Sequence, residues 1–271
     1  MIKMSNIGVV FSGGTAKGAY QIGFSKALLE KTNANDKICV VGSSVGALSA
    51  FVLGTGQTQI AEKLMLLFNV KGMYSVFKLI KNNTFYDFID KISEYEIQQN
   101  RDVHIALCES SSLKVHYINL NSLPKSEIKN ALKASIAVPK LTKAVNVNGQ
   151  PFVDAAIMNN VPIDFFLGKE AECIFVVHFD SKVINGNNII EFQFSNELER
   201  ASPTYDMRRE KMQSMFFEGY NITKDFLDIC FPNGLNCFDN IIQPNTRVRK
   251  FNADYLMNML NVLTQKFVGS K

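Results

Sequence analysis

The sequence predicts an α/β fold: a three-layer α/β/α sandwich around a mainly parallel central sheet. Short apolar runs of buried-strand length alternate with stretches of helical apolar spacing, and two of the runs end directly in glycine-rich loops. The length of 271 residues with 46% hydrophobic content supplies a large core without dividing the chain, so one domain over residues 1–271 is expected.

Ile7 to Phe11 is the first continuous apolar run, and Ala19 to Glu30 then places Ile22, Ala27, Leu28 and Leu29 at broadly helical spacing. Ile38 to Val41 is a second run. The segment up to Gly46 therefore reads as βαβ, whose strands are parallel and whose crossover is right-handed. Both glycine loops, Ser12 to Gly18 (SGGTAKG) and Gly42 to Gly46 (GSSVG), then open at one sheet edge, where ligands of open α/β sheets bind. Further strands are expected in DVHIAL, KVHYINL, Gln150 to Val153 and CIFVVHF. From about Asn196 onward the chain reads as mostly helical (197–217 and 253–268) around a strand-like NIIQ at 240–243, covering the sheet or shaping a pocket.

G-x-S-x-G puts a serine on a strained strand-to-helix turn, where small flanking residues avoid clashes and the hydroxyl projects outward. Ser44 is that serine, with Gly42 and Gly46 as its flanks. Gly13 and Gly14 offer backbone amides for a developing oxyanion, and helices starting near Gly18 and after Ser44 add the positive ends of their dipoles. A hydroxyl needs a base to act as a nucleophile, and Asp154 is the best candidate: it ends a strand-like piece and is followed by the small Ala155 and Ala156. Asn159, Asn160 and Pro162 then supply turn chemistry.

Competing readings of these loops are weaker. A Walker loop needs Ser or Thr after its lysine, yet Lys17 precedes Gly18, and no G-x-G-x-x-G register fits. The order Ser44, Asp154, His178 matches a conventional triad, but His178 lies in a near-continuous apolar strand, which suits a structural histidine. Lys17 is a candidate for fixing an anionic headgroup, against the commoner role of a loop-stabilising or solvated lysine.

Three blocks in order, FSGGTAKGAYQIGF, GSSVGAL and PFVDAAIMNNVPID, resemble the glycine-rich oxyanion loop, G-x-S-x-G and D-G-[AG] blocks of patatin-like phospholipases, and SIAVPKL is similar to the segment leading into the aspartate strand. The resemblance covers roughly residues 7 to 180. It implies the patatin-type fold and a Ser-Asp dyad that hydrolyses lipid acyl esters without histidine, metal or other cofactor. Ser44 is then the nucleophile, Asp154 the base, and the amides of Gly13, Gly14 and Thr15 the oxyanion hole. Two positions depart from the family pattern. Thr15 replaces the third glycine, and a β-branched residue held at positive φ costs about 1–3 kcal/mol. Ala155 replaces the glycine after the aspartate. Two other readings stay open: an inactive relative that binds lipid or protein, and a carboxylesterase or thioesterase for small soluble substrates.

The net charge of +4, spread over short basic clusters, is too small to argue for nucleic acid. Five widely spaced cysteines (Cys39, Cys108, Cys173, Cys230, Cys237) include no C-x-x-C pair, so neither a disulfide framework nor a metal site is expected. No transmembrane-length apolar stretch and no charged-then-apolar leader occurs, which predicts a soluble cytoplasmic protein, with leaderless secretion as an effector giving the same pattern. The substrate expected is a phospholipid or other acyl lipid. Residues 61–81 and 212–231, rich in Met, Phe and Leu with interspersed lysines, are candidates for transient membrane-surface contact or for a lid.

Overall fold

The computed structural model describes residues 6–82, 84–180, 184, 186, 188–194, 205–232, 234–235 and 246–249. The strand expected at 240–243, the helix expected at 253–268 and Cys237 lie outside the described residues. In chain order the elements are β1 (Asn6–Phe11), α1 (Gly18–Lys31), β2 (Lys37–Ser43), α2 (Val45–Thr55), α3 (Thr58–Met65), α4 (Met73–Lys81), α5 (Thr84–Ile92), β3 (Arg101–Glu109) and β4 (Val115–Asn119). There follow α6 (Lys125–Ser135), β5 (Val145–Val147), β6 (Gln150–Asp154), β7 (Cys173–Val177), β8 (Ile189–Gln193), α7 (Arg209–Cys230) and β9 (Thr246–Arg249).

The strands form one mixed sheet along the path β5-β6-β3-β2-β1-β7-β8-β9, with β4 also on β3. Every pairing from β3 through β2, β1, β7 and β8 to β9 is parallel, whereas β4, β5 and β6 join antiparallel at the other end. The expected mainly parallel sheet is thus present, with an antiparallel margin. That margin matters. A strand has only two edges, and β4 occupies one edge of β3 across residues 104–108. β6, paired at 107–109, must therefore take the edge that β2 leaves after Ala106. Along that edge Ser43 stands opposite Ala106 and Asp154 opposite Leu107. The register of β3 thereby brings the end of β2 to the end of β6.

Central strands read as unbroken apolar runs because both faces are covered. Ile7, Val9 and Phe11 face a core built with α1, α2, α6 and α7, while Val10 faces a second cluster closed by Phe165 and Phe166 from a short 3₁₀ helix, Ile163–Phe166. Edge-to-face rings of Phe11, Phe24, Phe175, Phe192 and Phe226 fill the first core. α7 lies against α1 almost backbone to backbone. A β-carbon at Gly219 would stand 2.3 Å from the Tyr20 carbonyl oxygen, and one at Gly23 2.1 Å from that of Phe216.

This contact decides the fate of one candidate membrane segment. In 212–231 the apolar stripe Met212, Met215, Phe216, Phe226 and Leu227 is buried, so the stripe is core-facing helix and not an interfacial surface. Residues 61–81 behave differently. They split between α3 and α4 around Gly72, which sits at φ 94, and within α4 only Val76 is buried. Among the described residues no helix is long and apolar enough to cross a membrane.

Candidate active site

β2 ends in Ser43, Ser44 has φ 56 and ψ −129, and α2 starts at Val45: a strand-turn-helix elbow with a non-glycine residue in the sparsely populated positive-φ region. Backbone crowding explains the flanking glycines. A β-carbon at Gly42 would lie 2.0 Å from the Gly46 carbonyl oxygen, and one at Gly46 2.5 Å from that of Phe11. Gly18 serves the same end on the other loop, where a β-carbon would meet Val45 at 2.7 Å.

The Ser44 hydroxyl donates to Asp154 Oδ2 at 2.7 Å. The other carboxylate oxygen accepts the Ala156 amide at 2.9 Å, which fixes the rotation of the group. Asp154 is only 6% exposed, and this burial pushes its carboxyl up to about 6, opposed by the hydrogen bonds from Ala156 and Ser44. A carboxylate so shifted is a stronger base than an ordinary aspartate while remaining ionised near neutrality, as proton abstraction from a hydroxyl requires.

The glycine-rich loop borders the same cavity, a space of about 240 Å³ lined by Gly14, Thr15, Ser44, Leu48 and Asp154 among others. Among the described residues the Gly14 and Thr15 amides donate to no protein acceptor. Gly13 differs from expectation. Its amide donates to the Asn160 carbonyl at 3.2 Å, so it anchors the loop and is withdrawn from the proposed oxyanion donors. Thr15 does adopt φ 50, the strained left-handed conformation that its branched side chain resists. Gly14 has extended φ, but a β-carbon there would stand 2.6 Å from the Phe179 ring, so glycine is needed for close approach.

Asn160 carries more than turn chemistry. Its side-chain amide donates to both Asp180 oxygens at 3.0 and 3.1 Å, and its Oδ1 stands so close to Gly13 that a β-carbon there would be 2.5 Å away. Six residues after the candidate base, it ties the aspartate segment to the glycine-rich loop. Sequence reasoning missed this because the partner, Asp180, lies beyond the next strand.

The remaining candidates fall outside the cavity. Lys17 is buried, with its ammonium 5.4 Å from the Phe179 ring centre, and is not on the cavity wall. His178 is fully buried, its Nε2 2.5 Å from Glu191 Oε1, and it does not border the cavity either. One further association was not expected. Cys39, Asp102 and His104 hold their ligand atoms within 4.8 Å of one another at the opposite edge of the sheet.

The family profile of the patatin-like phospholipases matches residues 9–167. No curated protein matches the chain. Among solved structures the chain is similar to VipD from Legionella pneumophila, with 14% identity, a TM-score of 0.48, and coverage of 83% of this chain and 67% of that one. It is also similar to the heterodimeric ExoU-SpcU complex from the type III secretion system of Pseudomonas aeruginosa, with 15% identity, a TM-score of 0.42, and coverage of 83% of this chain and 51% of that one. The matched span holds the glycine-rich loop, the elbow and the aspartate in one continuous block, and the chain belongs to the patatin-like phospholipase family.

Proposed function

We propose that the protein is a lipid acyl hydrolase in which Ser44 and Asp154 form a catalytic dyad. The reading rests above all on the 2.7 Å hydrogen bond between Ser44, held at φ 56, and a buried carboxylate. Asp154 takes the hydroxyl proton as Ser44 Oγ attacks the ester carbonyl carbon. The amides of Gly14 and Thr15, with the positive ends of α1 and α2, receive the oxyanion. The leaving alcohol takes the proton from Asp154; water, deprotonated by the same group, then attacks the acyl carbon, and Ser44 Oγ leaves with that proton as the fatty acid is released. No histidine takes part.

An acyl lipid suits the cavity wall, which is mostly apolar. Behind it a smaller apolar space of about 40 Å³ shares Thr15, Val45, Leu48 and Phe85 and continues toward Met65 and Phe68, enough for a short stretch of an acyl tail. α4 roofs the mouth with Phe77 and Ile80 while exposing Met73 (54%) and Tyr74 (80%) beside Lys71, Lys78 and Lys81. Such a helix suits contact with an anionic lipid surface.

The strain at Thr15 favours one other reading, a relative that keeps the cleft and binds lipid without turnover. A fluorophosphonate probe separates the two. Labelling of the native protein that is abolished in Ser44→Ala supports hydrolysis, and absence of labelling on folded protein overturns it. Comparing vesicles with monomeric esters then distinguishes a lipase from a small-ester hydrolase.

A further inference from the structure

The N-terminal halves of β2 and β3 carry a second constellation, at the sheet edge opposite Ser44. The parallel register sets Cys39 beside Asp102, and residues 102 and 104 share a face because strand side chains alternate. Cys39 Sγ lies 3.5 Å from Asp102 Oδ2, and His104 Nε2 lies 2.9 Å from Asp102 Oδ1. We propose that Cys39, Asp102 and His104 form a binding site for a zinc-class divalent cation, with a fourth coordination position open to the adjoining cleft.

The donor set selects the cation. Sulfur and imidazole nitrogen beside one carboxylate suit zinc, and neither magnesium nor calcium takes such ligands. Bond lengths of about 2.0–2.3 Å at tetrahedral angles put neighbouring ligand atoms roughly 3.3–3.7 Å apart. The carboxylate of Asp102 bridges the other two donors, Oδ2 standing 3.5 Å from the sulfur and Oδ1 2.9 Å from the imidazole nitrogen, and the three ligand atoms lie within 4.8 Å of one another, so a cation draws them together by small side-chain rotations and opens the 2.9 Å hydrogen bond. As the metal–sulfur bond forms, the thiol proton passes to solvent, and His104 coordinates as the neutral imidazole, through Nε2 with its proton on Nδ1.

The surroundings are those of a held site. Asn119 donates its side-chain amide to Asp102 Oδ1 at 3.1 Å, and the Phe165 ring packs 4.5 Å from the His104 ring. Ligands on two paired strands need little reorganisation. A cleft of about 430 Å³ borders Cys39 and Asp102 and leaves room for water or a small anionic fourth ligand. Lys169 opposes the cation: its ammonium sits over Phe165 and its charge reaches both Cys39 and His104. Lys37 and Glu170 also border the cleft. The site therefore binds less tightly than its ligands alone would allow.

Cobalt(II) titration of the full chain, stripped with chelator, tests this directly. The expected result is a thiolate-to-cobalt charge-transfer band that saturates at one ion per chain and is displaced by zinc. Cys39→Ser and His104→Gln, checked for folding by circular dichroism, should lose it, and Asn119→Ala should weaken binding about 10- to 100-fold. Lys169→Gln should tighten binding severalfold, the reverse of what loss of a structural residue does. Ser44→Ala should bind as the native chain does, so the outcome stands apart from hydrolysis. No charge-transfer band in the native protein, or an undiminished band in Cys39→Ser, overturns the site.

Discussion

Replacing Asp154 with Asn should destroy hydrolysis and make the protein more stable at neutral pH. The carboxyl is raised from its ordinary 3.8 to about 6 because burial removes the charged form from water. At about 1.4 kcal/mol per pH unit, holding it ionised destabilises the fold by about 3 kcal/mol above pH 6. The sign follows from proton counts. Between the two values the folded chain binds the proton and the unfolded chain does not, so native stability falls as pH rises through this window. Asparagine carries no charge to desolvate, yet it keeps one oxygen for the Ala156 amide or for Ser44 and loses the other bond, at roughly 1 kcal/mol. The net gain is about 2 kcal/mol at pH 8, or several degrees in melting temperature, shrinking toward zero or below near pH 4. Urea unfolding of both proteins at pH 8 and pH 4 measures it. A variant that is less stable than the native protein by the same amount at both pH values would refute a buried, desolvated carboxylate. With the proposed dyad, hydrolysis by the native protein should also fall as pH drops through about 6, because a protonated Asp154 has no lone pair free to take the serine proton.

Three other outcomes follow from the geometry. Asn160→Ala cuts the link to Asp180 and loosens the oxyanion loop, so kcat should fall on the order of 10²-fold with KM nearly constant; unchanged kcat in folded protein would remove its positioning role. Thr15→Gly relieves a branched residue at φ 50 and should raise stability by about 1 kcal/mol without loss of activity, read by thermal melting and ester turnover. His178→Gln should keep most hydrolysis, because this imidazole is paired with Glu191 away from the cavity, and a loss as complete as that of Ser44→Ala would instead argue for a triad.

What could be read from the sequence divides along the range of the interactions. β1, α1, β2 and the elbow were legible because each is set by neighbours in the chain: an apolar run buried on both faces, then glycines where carbonyl oxygens come within 2.6 Å of a hypothetical β-carbon. The strain at Thr15 was legible for the same reason, since a helix entry that needs positive φ does not change its geometry when the glycine is replaced. What escaped depends on β3, whose pairings join residues far apart in the chain. The withdrawal of the Gly13 amide by Asn160 needs the aspartate segment folded back across the sheet, and no local pattern announces it. The Cys39, Asp102 and His104 cluster lacks any metal-ligand spacing because 63 positions separate its first two members. The meeting of Ser44 and Asp154, by contrast, spans 110 positions and was still expected, from a carboxylate that ends a strand-like piece before two small residues and from resemblance of the blocks, not through any calculation of register. Its physical cause is the edge of β3 that β2 leaves and β6 takes up. A change that shortened β3 by one pair beyond Ala106 would therefore separate the serine from its carboxylate while leaving both motifs intact in the sequence.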